Sequence, residues 1–365
     1  MAKLTEGESV YLDLVRGFSA LLVLFGHTMA SIPNPPKFGT FYPVQSWAVV
    51  VFFVLSGFLI CMSATSKQNY TFGGYLIDRF SRVYVALFPT LILIYIVDTL
   101  TGSTPINKDL WTFFGNATML MGIPFDRMFE SLPYFQPFGS GRPLWTVAVE
   151  WWMYVAFGYA FFARSIKGWS LVIGLLLLPI AFAVTFIYGA RESLAIIWIV
   201  GALLAVPLIG MSKEAAAKVG AQLLILSLGL LLMRLAMLHP GASSINFYDG
   251  QLMLFTEFVI FSGLICFKGY RFLEKLAIWV KPFARWIADI SYSLYLTHYT
   301  LLVAFKHYFG MSWMKFFIFC TIAILFSWLF TIVFDHQYRK FSRFLKSIFL
   351  KDTKKVMASS VDKKT

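Results

Sequence analysis

"YLDLVRGFSALLVLFGHTMA", residues 11–30, is apolar enough to enter a bilayer, whose hydrocarbon core takes about 20 helical residues. Yet it carries Asp13, Arg16 and His27. An ionisable side chain in hydrocarbon is costly unless it faces protein or water, so such residues mark functional positions by default. His27 follows Arg16 by eleven positions, three helical turns plus roughly 20° at about 100° per residue. Asp13 lies one turn before Arg16. All three therefore share one stripe, with the arginine and the histidine about 16 Å apart along the axis. A polar stripe on an apolar helix has to face something other than lipid.

The rest of the chain is of the same character. Of its 365 residues 59% are hydrophobic and only 13% charged, with a mean hydropathy of +0.72; soluble domains carry about 25% charged residues. Ten apolar stretches are long enough to span, near 10–30, 44–65, 80–100, 143–163, 169–188, 193–211, 218–238, 250–267, 286–305 and 314–335. The expectation is an all-α polytopic membrane protein, a bundle of about ten transmembrane helices. Residues 1–335 form its one transmembrane domain and 336–365 a basic cytoplasmic tail. Between the third and fourth spans, Pro105, Pro124, Pro133 and Pro137 break the chain, and a connection of that length is more often functional than idle.

Lys and Arg set the orientation. With the N-terminus inside, the two termini and the even-numbered loops hold 22 of the 31, against seven in the odd-numbered loops. Both termini are thus expected in the cytoplasm. The net charge of +13 and pI near 9.6 have the same origin, because the basic residues gather at the ends of apolar spans. Nucleic acid is not an expected partner; the tail reads as a juxtamembrane segment drawn to anionic lipid, ending in a disordered stretch. Cys61, Cys266 and Cys320 sit in apolar runs at unrelated spacings and suggest neither disulfides nor a metal site. No internal repeat stands out, and no cleavable signal peptide is apparent.

Two further polar groups interrupt the apolar runs. In "DRFSRVY", residues 78–84, Arg79 and Arg82 are three apart and share a helical face, either as membrane anchors or as a clamp for phosphate. "GSGRPLWTVAVEWWMYVAFG" puts Glu150 about two turns into the fourth span beside Trp145, Trp151 and Trp152. A carboxylate there needs a partner, and His27 is the favoured one. Arg234 and Glu257 are candidates to pair with each other, Asp98 has no assigned role, and His239, His307 and His336 read as structural residues at span ends.

Taken together, "LDLVRGFSALLVLFGH" (12–27), "VVFFVLSGFLI" (50–60), "RFSRVY" (79–84), "RPLWTVAVEWWMYV" (142–155) and "ISYSLYLTHYTLL" (290–302) resemble, in order, the motifs of the membrane-bound acyltransferase-3 family. That family includes bacterial enzymes that O-acylate surface polysaccharides. Two positions depart from it: Trp151 stands where many relatives carry a second acidic or polar residue, and "FDHQYRKF" holds Asp335 without the usual nearby proline. The resemblance implies a ten-helix core in the bacterial inner membrane. It also implies acyl transfer from a thioester, acetyl-CoA as the expected co-substrate, to a sugar hydroxyl of a glycan or lipid-linked glycan, with no permanently bound cofactor.

The residue types suit that chemistry. His27 can serve as general base, with Glu150 fixing its tautomer. Arg16, oriented by Asp13, together with Arg79 and Arg82, can hold the donor's phosphates. Trp145 and His298 are supporting candidates; His298 is equally readable as a packing residue. The competing reading is a transporter or exporter of a small anion or glycan precursor, since intramembrane Arg, His and Glu also line substrate pathways. The charge bias yields a direct prediction: a topology reporter fused after Thr365 is expected to report the cytoplasm, and a periplasmic signal overturns the assigned orientation.

Overall fold

A computed structural model describes residues 4–33, 44–102, 108–121, 135–166, 168–186, 190–237 and 248–350, and every regular element among them is helical. Helix α1 (Glu6–Ala30) is followed by α2 (Val44–Ser66), α3 (Phe72–Thr101) and the short α4 (Leu110–Ala117). Then come α5 (Leu144–Phe162), α6 (Trp169–Phe186), α7 (Ala190–Gly210), α8 (Lys213–Met237) and α9 (Gly250–Gly269). The chain closes with α10 (Arg271–Phe309), α11 (Trp313–Val333), a 3-10 turn at Asp335–Gln337 and α12 (Tyr338–Phe349).

Helix starts follow local chemistry. Thr5 and Glu8 form a capping box on α1, each side chain bonding the other's backbone N–H at 3.2 and 2.7 Å. Thr71 caps α3, Asp109 caps α4 and Asp249 caps α9. The cap at Thr71 starts α3 eight residues before the expected boundary, so Arg79 and Arg82 lie well inside the helix rather than at its edge. Likewise the expected span at 286–305 is the inner part of a 39-residue helix that runs through Pro282; a proline removes one backbone donor without always ending a helix.

A helix forms over each of the ten apolar stretches, and among the described residues seven helical segments are long and apolar enough to cross a membrane on those grounds alone. The other three are α5, α6 and α10. Glu150 and the aromatic polar groups dilute α5, and the Ser, Thr, Tyr and His of residues 291–300 dilute α10. α6 is itself strongly apolar, and its described core is the segment Leu171–Ala183. Outward faces are greasy: α8 exposes Ile225, Leu226, Leu232 and Met233, the pattern of a helix facing lipid rather than water.

α1 packs between α10 and α2, α2 lies along α7, and α8 lies along α9. Small residues set the tightest of these contacts. A Cβ at Gly57 of α2 would overlap the Trp198 carbonyl of α7, and one at Gly201 would come within 2.7 Å of the Val54 carbonyl. Reciprocal glycines let the two backbones touch, as small residues do between membrane helices. The first part of the basic tail also belongs to this body. Ser342 and Lys346 of α12 both bind Asp78 of α3 at 2.6 Å, and His336 meets Asp289 of α10 at 2.6 Å. Residues 351–365, where a disordered end was expected, lie outside the described residues, as does His239. Replacing Gly57 by Val is expected to lower stability by roughly 1–3 kcal/mol or more through overpacking. Thermal unfolding in detergent reads this as a lower midpoint, and an unchanged midpoint contradicts the backbone contact.

Candidate active site

Two cavities meet inside the bundle. The first, about 180 Å³, is lined by Arg16, Arg79, Arg82, Glu150, Tyr154 and Tyr292 among apolar neighbours. The second, about 290 Å³, is lined by His27, Arg142, Trp145, Tyr248, Tyr295 and Tyr299 among others. They are here the arginine chamber and the histidine chamber. The single polar stripe of α1 serves both: Arg16 faces one and His27, three turns on, the other. Asp13 pairs with Arg16 at 3.1 Å, as their one-turn spacing requires.

In the arginine chamber the three guanidinium groups differ in their partners. Arg82 donates to Asp335 at 2.6 Å and lies over the rings of Tyr292 and Tyr338, at 5.1 and 4.9 Å. Asp335 is only 1% exposed, so this pair ties α3 to the end of α11. Among the described residues no carboxylate forms an ion pair with Arg79, which instead sits about 6 Å from the Tyr75 and Tyr154 rings. The Nε atoms of Arg16 and Arg79 are buried without a hydrogen-bond partner among the described residues. A buried donor left unpaired is costly, and an anion arriving in the chamber would relieve that cost.

Glu150 belongs to this chamber. It accepts from Tyr154 Oη at 2.5 Å; Tyr154 meets Ser56 Oγ at 3.0 Å, and Trp198 Nε1 donates to the same Ser56 at 3.1 Å. The expected partnership with His27 does not form. Thr146, Glu150 and Tyr154 recur every four residues on one face of α5, and only Thr146 reaches the histidine chamber. Glu150 lies one turn beyond it, on the arginine side.

His27 has a different partner. Its Nδ1 lies 2.8 Å from His298 Nε2, with the two rings nearly parallel. His298 is 1% exposed, and its Nδ1 is 3.0 and 2.9 Å from the carbonyl oxygens of Leu294 and Tyr295. Carbonyls only accept, so His298 Nδ1 carries the proton and its Nε2 offers a lone pair. His27 Nδ1 must then be the donor, which leaves His27 Nε2 unprotonated. Among the described residues that nitrogen has no hydrogen-bond partner, and its ring lines the chamber. The arrangement is a base held in one tautomer by a second imidazole. Sequence reasoning left His298 undecided; its signal was the spacing Tyr295–His298, which puts both on one face of α10.

The loop that leads into α5 is tied down where it is described. Asn116 Oδ1 accepts from Phe138 N at 3.0 Å and its Nδ2 donates to Gln136 O at 2.8 Å. Asp98, 0% exposed, accepts from Ser140 N at 2.7 Å, and Ser140 Oγ donates to Thr300 at 2.9 Å. Gly139 between them has φ +49°, and a Cβ there would strike the Asp98 carboxylate. Asp98 thus anchors the stretch that delivers Arg142, Pro143 and Trp145 to the histidine chamber. Trp145 faces Tyr248 edge-on at 6.5 Å, and Tyr299 stands edge-on to His27 at 5.3 Å. Arg234 pairs with Asp249 at 3.2 Å rather than with Glu257, which is fully buried and has no hydrogen-bond partner among the described residues. No cluster of metal-ligating side chains occurs among the described residues.

Compared with protein-family models, the chain matches the acyltransferase domain of the acyltransferase-3 family over residues 9–332. The chain belongs to the acyltransferase-3 family. No curated protein and no solved structure matches it at a significant level. Membership makes the protein a multi-pass membrane acyltransferase and brings both chambers within the matched region.

Proposed function

We propose that this acyltransferase moves an acyl group, acetyl from acetyl-CoA as the expected case, to a sugar hydroxyl of a surface or exported glycan at the bacterial inner membrane. The observation that carries the reading is the His27–His298 hydrogen bond, which leaves His27 Nε2 free to accept a proton inside a cavity. A hydroxyl attacks a thioester well only as its proton is removed, and imidazole is the usual base for that step. As the proton arrives, the charged His27 ring keeps its hydrogen bond to the neutral His298, which occupies the orienting position that a carboxylate holds in a triad. Trp145, Tyr248 and Tyr299 give the chamber aromatic walls suited to the C–H face of a sugar ring.

The arginine chamber fits the donor. Arg79, with no carboxylate in an ion pair among the described residues, and Arg16, with an Nε unpaired among them, offer contacts to the phosphates of coenzyme A; Arg82, held by Asp335, orients the group. In this reading α5, α6 and α10 cross the membrane with the other seven segments, giving ten spans, and the arginine chamber opens to the cytoplasm. The extended pantetheine arm would cover the three turns between Arg16 and His27. Glu150 serves the donor side, positioned by Tyr154 and Ser56, rather than the base.

Two outcomes follow. His27→Gln keeps a hydrogen-bonding side chain but cannot take the proton, so acyl transfer should fall by about 10²–10⁴ while acetyl-CoA still binds. Near wild-type transfer by the folded variant removes the base assignment. Arg79→Ala should weaken acetyl-CoA binding more at low salt than at high, and Arg79→Lys should restore it only in part, because the planar fork is lost. Unchanged affinity in Arg79→Ala returns this arginine to a structural role.

A further inference from the structure

The two chambers share three lining residues, Val49 of α2, Thr146 of α5 and Tyr295 of α10. The wall between them is therefore one side chain thick. Its polar half is unusual in its proton count. The Thr146 and Tyr295 hydroxyl oxygens lie 2.5 Å apart, and they approach the Pro143 carbonyl at 3.0 and 3.1 Å. Two hydroxyl protons serve three close oxygen–oxygen contacts, so one contact has no proton of its own. A new acceptor at the wall can take the Tyr295 proton while Thr146 keeps the Pro143 carbonyl bonded, with no loss in the number of hydrogen bonds.

Tyr295 is also fixed in place. The Phe52 ring packs edge-on at 5.7 Å, His298 lies 5.9 Å away on the same helix, and the Tyr295 carbonyl is one of the two that hold the His298 proton. The apolar half is closed by Val49, 7% exposed, with Phe53 buried beside it.

We propose that this wall is the acyl subsite. The thioester carbonyl lies between Val49 and Tyr295, its oxygen accepting from the Tyr295 hydroxyl and its alkyl group against Val49. The assignment rests on the acyltransferase reading above and adds to it the residues that meet the reacting carbonyl. The acceptor oxygen bonds to the carbonyl carbon as its proton passes to His27 Nε2. The carbonyl electron pair moves onto oxygen, where the Tyr295 O–H stabilises it. When the C=O bond re-forms, the C–S bond breaks, its electron pair leaves on sulfur, and the imidazolium proton goes to the thiolate. The products are an ester in the histidine chamber and a free thiol on the arginine side.

The test uses membranes containing the full chain, acetyl-CoA and butyryl-CoA labelled in the acyl group, and three variants. Label entering membrane glycan, free thiol released and acetyl-CoA affinity are measured together. Tyr295→Phe is expected to lose about 10²–10³ in transfer with unchanged acetyl-CoA affinity, the cost of one oxyanion donor. A purely structural tyrosine would change affinity and turnover together or neither. Val49→Ala is expected to raise the butyryl-to-acetyl transfer ratio roughly tenfold or more, since methylene-sized space in an apolar pocket discriminates on that scale. His27→Gln supplies the reference for the underlying reading. Transfer by Tyr295→Phe within threefold of wild type, while His27→Gln is inactive, overturns the acyl subsite and leaves the acyltransferase reading standing. If Tyr295→Phe does not fold, an unchanged acyl ratio in Val49→Ala overturns it instead. If wild type and His27→Gln alike incorporate no label and release no thiol, the proposed transfer from acyl-CoA to glycan falls and takes the subsite with it.

Discussion

The hydrogen bond between His27 and His298 joins α1 to α10 at the point where the histidine chamber opens, and much of the bundle is arranged around the need to make it. Hydrocarbon offers no partner to a polar group, so an unpaired one is costly and most are paired inside the protein. His298 finds two backbone carbonyls of its own helix, which decides its tautomer, and that in turn decides the tautomer of His27. The same constraint pairs Arg82 with Asp335, chains Glu150 through Tyr154 and Ser56 to Trp198, and locks Thr146 to Tyr295. These pairs are also the contacts between α3 and the end of α11, between α5, α2 and α7, and between α5 and α10. Polar satisfaction and helix placement are one problem here.

Helix α5 orders the interior. From its start at Pro143 it presents Trp145 to one chamber, Thr146 to the dividing wall and Glu150 with Tyr154 to the other. Anchoring its entry loop through Asn116 and Asp98 fixes the register of that sequence along the axis. The glycine contacts hold α2 against α7 backbone to backbone, and α2 carries Val49 to the wall and Ser56 to the arginine chamber.

The apolar runs made the helices legible, because a run of about 20 apolar residues leaves little else for the backbone to do. The stripe of Asp13, Arg16 and His27 was legible for a similar reason: helical spacing decides which side chains share a face. What the sequence left open was which helix stands opposite. Nothing local says whether Glu150 or His298 meets His27, and the carboxylate was the natural guess from triad chemistry. The outcome depends on how far along its axis α5 carries Glu150 from the level of His27, in a helix whose entry loop is held by Asp98 and Asn116. Asp335 was visible only as a departure from a motif, and its role emerged once α11 was seen to end beside Arg82. Arg234 shows the same limit, taking the nearer Asp249 across its loop rather than the intramembrane Glu257.

His27 and His298 are 271 residues apart in the chain, and Arg82 and Asp335 are 253 apart. Chains are made from the N-terminus at roughly 5–20 residues per second, so the early partner of each pair waits through most of synthesis for the late one. Until α10 is inserted, His27 has no second imidazole to fix its proton and the histidine chamber lacks Tyr295 and Tyr299. Until the end of α11 follows, Arg82 is an uncompensated charge. The nascent protein therefore holds the parts of a catalyst without being one, and both chambers close only as the last helices arrive.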